Sequence, residues 1–197
     1  MSGLVVVRHG RTAANAARQL LGHLDAPLDS LGRAQAQALA AAVGPVDRVV
    51  SSPLLRTRQT AAGFDAPVTI DDRLIELDYG SYDGKALAEV PPELWSRWRA
   101  DPNFELPGGE SLVTLRGRVE AALDDLVAAA RTETVVVVSH VSPIKAAVTW
   151  ALGVGDEVTW RLFVSPASIS RIGLTERGPV LQSFNEVGHL AEVVDPG

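Results

Sequence analysis

The sequence contains no cysteine, and this absence excludes several kinds of chemistry. Without a thiol the chain has no disulfide bonds, no cysteine nucleophile and no cysteine-ligated metal site. Long apolar runs are also missing, so no segment is predicted to cross a membrane. The chain passes from Met1 through a short apolar run into charged residues, which is not the pattern of a secretory signal. We therefore expect a cytoplasmic protein without membrane partners.

Basic residues are in the minority, with 18 Lys and Arg against 24 Asp and Glu and a formal net charge of −6. A general nucleic-acid binder carries a basic patch, so this balance argues against nucleic acid as a partner. The 197 residues are 46% hydrophobic and 21% charged, which suffices for a compact domain with its own core. No repeat or low-complexity linker divides the chain. We expect a single domain over residues 1–197.

Apolar, β-branched runs alternate with segments of helical periodicity along the chain. Strands are predicted at residues 4–7, 46–50, 68–70 and 134–138, with two more inside 161–187. Helices are predicted to start at a capping serine in four places, at Ser30, Ser52, Ser111 and Ser142. The second and fourth of these serines precede a proline, which is suited to the first helical position. This alternation predicts an α/β fold, a three-layer α/β/α sandwich with a mostly parallel central sheet.

The segment at about residues 85–107 departs from this alternation. It holds Pro91, Pro92 and Pro102 together with Trp95 and Trp98, and it predicts a small, irregular helical insertion. The two tryptophans either line a substrate pocket or anchor the insertion by packing, which is the usual role of buried aromatic side chains.

Polar residues follow directly on three of the predicted strands. Arg8 and His9 follow the first strand, Arg56 lies shortly after the second, and His140 follows the strand at 134–138. The carboxyl ends of parallel strands share one edge of the sheet, where ligands bind in open α/β folds. Helix N-termini at that edge favour an anion. The sequence therefore predicts an anion pocket that contains two histidines.

The most specific segment of the sequence is LVVVRHGRT (4–12), with Asn15 following. Further motifs come after it in order, namely LDSLGRAQA (28–36), SSPLLRTRQTA (51–61), LIELDYG (74–80), PGGES (107–111) and VSH (138–140). Together they resemble the histidine phosphatase superfamily, also called the phosphoglycerate-mutase-like family, whose signature is the RHG tripeptide. The resemblance runs through nearly the whole chain, and it places the insertion over the active site.

The resemblance implies that His9 is the nucleophile. A neutral imidazole nitrogen would attack phosphorus, and water would later cleave the phosphohistidine. Arg8 and Arg56 would bind the phosphoryl oxygens with permanently charged, fork-shaped donors. His140 and Asn15 would add further hydrogen bonds to the same oxygens. With this much fixed positive charge, neither a metal nor a cofactor is required.

The resemblance also implies an acid that protonates the leaving alcohol and later activates water, and it favours Glu76. Spacing alone leaves Asp78 open, because in an extended segment it shares the face of Glu76. Glu110 is expected to cap the neighbouring helix rather than to contact substrate. His23 is expected at the surface or at the rim of the pocket.

Two positions depart from the family pattern. Val141 stands where the family commonly has glycine after its second histidine, and its backbone N–H is still expected to face the phosphate. Leu21 precedes Gly22 where many relatives carry Gln, Thr or Ser, so one polar contact near the phosphate is absent. We assign Leu21, Gly22 and Val141 to the phosphate-binding segments.

These expectations predict a phosphomonoesterase that acts on a small phosphorylated substrate, as a monomer or a homodimer. A phosphoglycerate mutase is the alternative, but only Lys85, Arg97 and Arg99 are basic in the segment where mutases carry a basic stretch. A non-catalytic module that binds phosphate esters would be indicated by loss of a site histidine or arginine, and none is lost. A metal site is disfavoured because the histidines lie beside arginines and lack ligand spacing.

Overall fold

A six-stranded sheet in the order β3-β2-β4-β1-β5-β6 forms the centre of the protein, and this computed structural model describes residues 2–195. The strands are β1 (Gly3–Arg8), β2 (Arg48–Ser51), β3 (Val68–Ile70), β4 (Thr134–Ser139), β5 (Ile169–Thr175) and β6 (Gly178–Glu186). The first four strands run parallel, whereas β5 is antiparallel to both β1 and β6. The sheet is thus mostly parallel, as predicted, with an antiparallel edge.

Helices fill the connections between the strands. They are α1 (Ala13–Ala16), α2 (Ser30–Val43), α3 (Leu55–Ala61), α4 (Pro92–Ala100), α5 (Leu112–Ala130) and α6 (Val141–Leu152). Short 3-10 turns lie at Asp72–Leu74, Gly80–Tyr82, Leu87–Glu89, Asp156–Arg161 and Gly188–Leu190. Within residues 2–195, no helix has both the length and the apolar character that a membrane span needs.

Alternate residues of the buried strands face two separate cores. Leu4 and Val6 of β1 pack in one cluster with residues of α5 and α6, such as Leu123. Val5 and Val7 face the opposite side and pack with α2 and α3. This period of two is the strand geometry, and helices on both faces produce the three predicted layers.

Three helix starts differ from the prediction. Asp29, not Ser30, caps α2 by accepting from the Gly32 N–H at 2.7 Å. The third helix begins at Leu55 because the Ser52 N–H still belongs to the sheet and donates to Val138 at 3.0 Å. The residue before a proline also favours an extended backbone. The sixth helix begins at Val141, before the predicted serine cap.

The predicted insertion contains α4, whose aromatic side chains pack against the body of the protein. Trp98 is 3% exposed and stacks on Trp95 at 5.3 Å between ring centroids. Trp98 also forms T-shaped contacts with Tyr79 and Trp160, at 5.8 Å and 5.2 Å between ring centroids. Trp98 therefore anchors the insertion.

Candidate functional site

The predicted site residues gather where β1, β2 and β4 end. Arg8 is the last residue of β1, and the N–H of His9 continues the ladder by donating to the Ser139 carbonyl at 3.0 Å. His140 follows β4 directly and precedes α6. The rings of the two histidines meet edge to face, with centroids 5.1 Å apart. These residues thus meet at the carboxyl edge of the parallel strands, beside the start of α6, as the sequence predicted.

His9 is 3% exposed and neutral. Its Nδ1 lies 2.7 Å from the Gly10 carbonyl, which only accepts, so Nδ1 carries the proton. The other ring nitrogen, Nε2, therefore holds an unprotonated lone pair. Burial, followed by the charges of Arg8 and Arg56, holds the pKa of His9 well below its usual value. The ring is thus neutral across the physiological pH range, with its lone pair on Nε2.

His140 takes the opposite tautomer. Its Nδ1 accepts from Arg56 Nε at 3.2 Å, so the proton is on Nε2, which donates to Ser52 Oγ at 2.7 Å. Burial and the charge of Arg56 lower the pKa of His140 well below its usual value. Both nitrogens already have partners within the protein, so His140 presents no spare N–H to a phosphate in this state.

Arg56 is fully buried, and its guanidinium binds the backbone of residues 21–24. Nη1 donates to Leu24 at 2.8 Å, and Nη2 donates to Gly22 at 2.7 Å and to Leu21 at 3.3 Å. Burial lowers the pKa of Arg56, and the carboxylate of Glu76 opposes this effect. The cation is therefore fixed in place by three carbonyl oxygens.

Arg8 is held less completely. Nη1 donates to the Val164 carbonyl at 2.7 Å, but Nε is buried and has no hydrogen-bond partner among the described residues. Burial lowers the pKa of Arg8 to about 10, again opposed by Glu76. A buried N–H without a partner is costly and uncommon. This donor is therefore suited to an acceptor that a ligand supplies.

Glu76 is 3% exposed and caps α6 from a distant part of the chain. Oε2 accepts from the Val141 N–H at 3.0 Å, and Oε1 accepts from Ser142 at 3.1 Å and from Leu77 at 2.8 Å. This carboxylate replaces the predicted serine cap, because it satisfies amide groups that a helix start leaves unpaired. The Val141 N–H, predicted to face phosphate, is bonded to Glu76 in this state.

The structure separates Glu76 from Asp78, which the spacing left open. Asp78 turns away, accepts from the Gly80 N–H at 2.8 Å and has a side chain that is 36% exposed. Its other oxygen lies 3.8 Å from His23 Nδ1. Only Glu76 joins the buried group of histidines and arginines.

Arg118 fixes the backbone that carries Glu76. Its guanidinium donates to the carbonyls of Arg73 at 2.6 Å, Ile75 at 2.7 Å and Glu76 at 3.1 Å. The remaining two N–H groups form a bidentate pair with Glu110, at 2.7 and 2.8 Å. All five donors of Arg118 are thus used. Glu110 is therefore not the helix cap that the sequence predicted, because Ser111 has that role in α5.

Three other predicted residues lie around this centre. Asn15 accepts from the Thr12 N–H at 3.1 Å in the capping box of α1, which uses its side-chain oxygen. The Gly22 N–H donates to Asp83 at 2.7 Å, so this amide is bound to a carboxylate. Leu21 is buried and contributes its carbonyl to Arg56. Leu21 and Gly22 thus support Arg56 in this state.

Sequence reasoning missed three side chains at this edge. Ser52 binds His140 at 2.7 Å. Tyr79 is buried, and both burial and the Glu76 charge raise its pKa beyond the usual range. Lys145 is half-buried on α6. Ser52 and Tyr79 lie within the motifs, but only the fold shows that they point inward. His23 is exposed, as the sequence predicted, and donates to the Glu76 carbonyl at 3.0 Å.

The arrangement suits an oxyanion that reaches His9 from outside. The neutral nitrogen of His9 lies among fixed positive charges, and the Glu76 carboxylate lies at the start of α6. Over the described residues, no group of three or more His, Asp or Glu side chains is placed to hold a metal ion. Positioning and electrostatics of this kind are the main contributions in phosphoryl transfer.

Comparison with protein families agrees with this geometry. The family model described as histidine phosphatase superfamily (branch 1) matches residues 4–187. A bifunctional protein of Mycobacterium tuberculosis is 37% identical over 177 residues, 85% of this chain and 49% of its own length. The chain thus spans about half the length of that relative.

Other relatives match along nearly their full length. Phosphoserine phosphatase 1 of Hydrogenobacter thermophilus is 36% identical over 98% of this chain and 96% of its own. A probable phosphoglycerate mutase of Proteus mirabilis is 32% identical over 98% and 97%, respectively.

Solved structures share the same fold. A phosphoserine phosphatase mutant of Entamoeba histolytica, in complex with phosphoserine, has a TM-score of 0.89 at 26% identity, over 96% of this chain and 100% of that one. A mycobacterial glucosyl-3-phosphoglycerate phosphatase in complex with VO3 has a TM-score of 0.86 at 30% identity, over 95% and 100%. The predicted α/β fold and the predicted family are confirmed by these matches.

Proposed function

The chain belongs to branch 1 of the histidine phosphatase superfamily, and we propose that it hydrolyses a small phosphate monoester through a phosphohistidine on His9. The observation that carries the proposal is the state of the His9 ring. One nitrogen donates to the Gly10 carbonyl, and the other keeps its lone pair in a buried, positively charged pocket. A fixed neutral imidazole is the nucleophile that such a reaction needs.

In the first half of the reaction, Nε2 of His9 attacks phosphorus and the bond from phosphorus to the ester oxygen breaks. Glu76 takes up a proton from the bound ester, which arrives as a monoanion, and gives it to the leaving oxygen, so the product leaves as an alcohol. In the second half, the Glu76 carboxylate takes a proton from water, the hydroxide attacks phosphorus, and the bond between phosphorus and Nε2 breaks. Phosphate leaves with the proton held by Glu76, and both side chains return to their starting states.

Arg8 and Arg56 stabilise the charge on the phosphoryl oxygens. The unpartnered Nε of Arg8 supplies a ready donor. A phosphoryl oxygen also competes with Glu76 for the Val141 N–H at the start of α6. Binding of substrate thus releases one oxygen of Glu76 for proton transfer. His140 Nε2 binds the phosphate by exchanging Ser52 for a phosphoryl oxygen, and Asn15, whose side-chain oxygen is used in the capping box, offers its side-chain N–H.

The relatives suggest the class of substrate. Two of the matched proteins are named for phosphoserine, and one structure is named for a phosphoglycerate ester. We infer a small phosphorylated metabolite, hydrolysed without a metal or a cofactor.

The first test is hydrolysis of an aryl phosphate by the full chain, with and without a chelator. We expect activity in both conditions and block by vanadate. After the reaction with labelled substrate is quenched in alkaline denaturant, His9 should carry a label that is stable in base and lost in acid. His9→Ala should lose turnover of every substrate. Loss of activity with the chelator, restored by a divalent ion, or label on another residue would refute the mechanism.

A phosphoglycerate mutase is the second candidate, because one relative carries that name. The insertion argues against it, since the guanidinium of Arg97 lies over Phe104 at 4.5 Å and the ammonium of Lys85 lies over Tyr82 at 4.8 Å. With 3-phosphoglycerate we expect release of phosphate and little 2-phosphoglycerate. Rapid interconversion of the two isomers with little phosphate would support the mutase.

A further inference from the structure

Lys145 is a cation beside the site that the proposed reaction does not use. It lies on α6 four residues after Val141, so it shares the helix face whose first N–H groups bind Glu76. Its side chain is half-buried, and its Nζ lies 5.8 Å from the centroid of the Trp160 ring. Among residues 2–195 it has no hydrogen bond and no ion pair.

The positive charge of such an ammonium group is not compensated until an anion binds beside it. A buried or half-buried charge is destabilising unless it is paired. Burial lowers the pKa of Lys145, while the nearby Glu76 carboxylate raises it and the Arg8 guanidinium lowers it. These charges are the proposed acid and one of the proposed phosphate ligands. Since Lys145 also lies one helical turn after the Val141 N–H that binds Glu76, it lies beside the proposed reacting centre. The aromatic face of Trp160 supports the ammonium group but does not neutralise it.

We propose that Lys145 binds a second anionic group of the substrate, a carboxylate, and that the substrate is therefore a phosphate monoester of a small hydroxy acid. The inference rests on the proposed phosphatase activity at His9. The donors for the transferred phosphoryl group lie at the strand ends, whereas Lys145 lies about 6 Å further along α6, at 1.5 Å per residue. That offset suits a group a few bonds from phosphorus.

The Trp160 ring lies on one side of the Lys145 ammonium group. Arg99 of the insertion lies over the same ring, with its Cζ 5.9 Å from the centroid, but its side chain is exposed. The ring and α6 thus bound the space beside Lys145, and the exposed arginine lies at the outer edge.

The experiment compares substrates that differ in the carboxylate. O-phosphoserine is paired with O-phosphoethanolamine, and 3-phosphoglycerate with glycerol 3-phosphate. In Lys145→Met we expect kcat/KM to fall about 10- to 100-fold for the two carboxylates, the effect of losing a charge-assisted hydrogen bond. The change should lie mainly in KM and should be small for the partner substrates and for an aryl phosphate. Lys145→Arg should restore most of the discrimination.

Lys85→Met is the matched control, since Lys85 is the only other lysine of the chain and is exposed. It should leave all five substrates unchanged. An equal loss in Lys145→Met for every substrate, aryl phosphate included, would make Lys145 a ligand of the transferred phosphoryl group and overturn the proposal. No loss for any substrate would overturn it as well. Failure of the proposed function itself would be distinct, because the unmodified protein would then not hydrolyse the aryl phosphate.

Discussion

Two side chains divide the proposed reaction, and each has its state set by backbone groups. His9 is fixed as a neutral ring by one carbonyl, that of Gly10. Glu76 is fixed by three amide N–H groups, two of them at the start of α6. The proposed nucleophile, His9, thus needs no activation by a base. The proposed acid, Glu76, has to give up a hydrogen bond from a backbone N–H before it can contact the substrate.

The first prediction concerns Glu76→Gln. The variant keeps the shape of the side chain but cannot give a proton to the leaving oxygen, so its cost depends on the basicity of that oxygen. For an alkyl phosphate we expect a loss of about 10²- to 10⁴-fold in kcat. For an aryl phosphate, whose phenolate leaves readily, the loss should be much smaller. Steady-state rates on the two substrates measure the difference.

Asp78→Asn is the control for that variant, because Asp78 carries the same charge two residues away and faces Gly80 and His23. Its loss should be similar for both substrate types. If Asp78→Asn shows the dependence on leaving group and Glu76→Gln does not, then the proton comes from Asp78.

Individual site residues were predictable where the strand pattern fixed their position. Arg8, His9 and His140 each lie at the end of a recognisable apolar run, and parallel strands end at one edge. The inward direction of Ser52 and Lys145 was not predictable, because it depends on how helices pack on the sheet. The roles proposed for these residues remain predictions.

Helix starts were predicted less well than strands, and α6 shows the reason. Its first N–H groups are satisfied by Glu76, which is 65 residues away from Val141. A local rule that searches for a serine cap cannot find such a partner. By contrast, β3 was predicted with the observed bounds, and α5 begins after the predicted cap Ser111.

Arg118 connects α5 to the segment that carries Glu76, and the second prediction concerns Arg118→Met. The variant leaves three carbonyls and Glu110 without their donor, so the free energy of unfolding should fall by about 2–4 kcal/mol. The same change loosens Glu76. We expect kcat to fall about 10- to 100-fold for an alkyl phosphate and less for an aryl phosphate. Urea unfolding and the two rates measure these effects.

Arg116→Met is the matched control on the same helix. Arg116 pairs with Asp156 at 2.7 Å and makes no hydrogen bond with the backbone of residues 73–76. Its loss should lower stability without creating a dependence on the leaving group. If Arg118→Met lowers both rates by the same factor, then Arg118 serves folding alone and does not position the acid.

The sheet as a whole divides the apolar side chains between two cores, and this division was visible in the sequence. Strands such as β4 are apolar at consecutive positions, as expected of a sheet that is covered on both faces. The position of α4 was not predictable, because it depends on contacts of Trp98 with Tyr79 and Trp160, which come from distant segments.

Two neutral histidines in one buried site make the stability of the whole protein depend on pH, and this is the third prediction. The pKa values of His9 and His140 are well below 6.5 in the folded state, mainly because of burial. Below about pH 6.5 the unfolded chain therefore binds protons that the folded protein does not. Acid then favours the unfolded state, so stability should be full above pH 6.5 and fall steadily as the pH decreases towards the folded pKa values.

The magnitude follows from the number of protons. Each of the two histidines contributes a slope that approaches about 1.4 kcal/mol per pH unit below 6.5. Urea unfolding between about pH 4.5 and 8 measures that slope for the unmodified protein and for His9→Gln and His140→Gln. This range extends up to about two pH units to either side of the ordinary histidine pKa. Each variant removes one group that binds a proton only in the unfolded state. The change of unfolding free energy with pH should therefore be smaller by about 1.4 kcal/mol per pH unit in each variant, whatever its absolute stability. Slopes that stay unchanged in both variants would mean that these histidines protonate in the folded protein, and the neutral nucleophile would then be wrong.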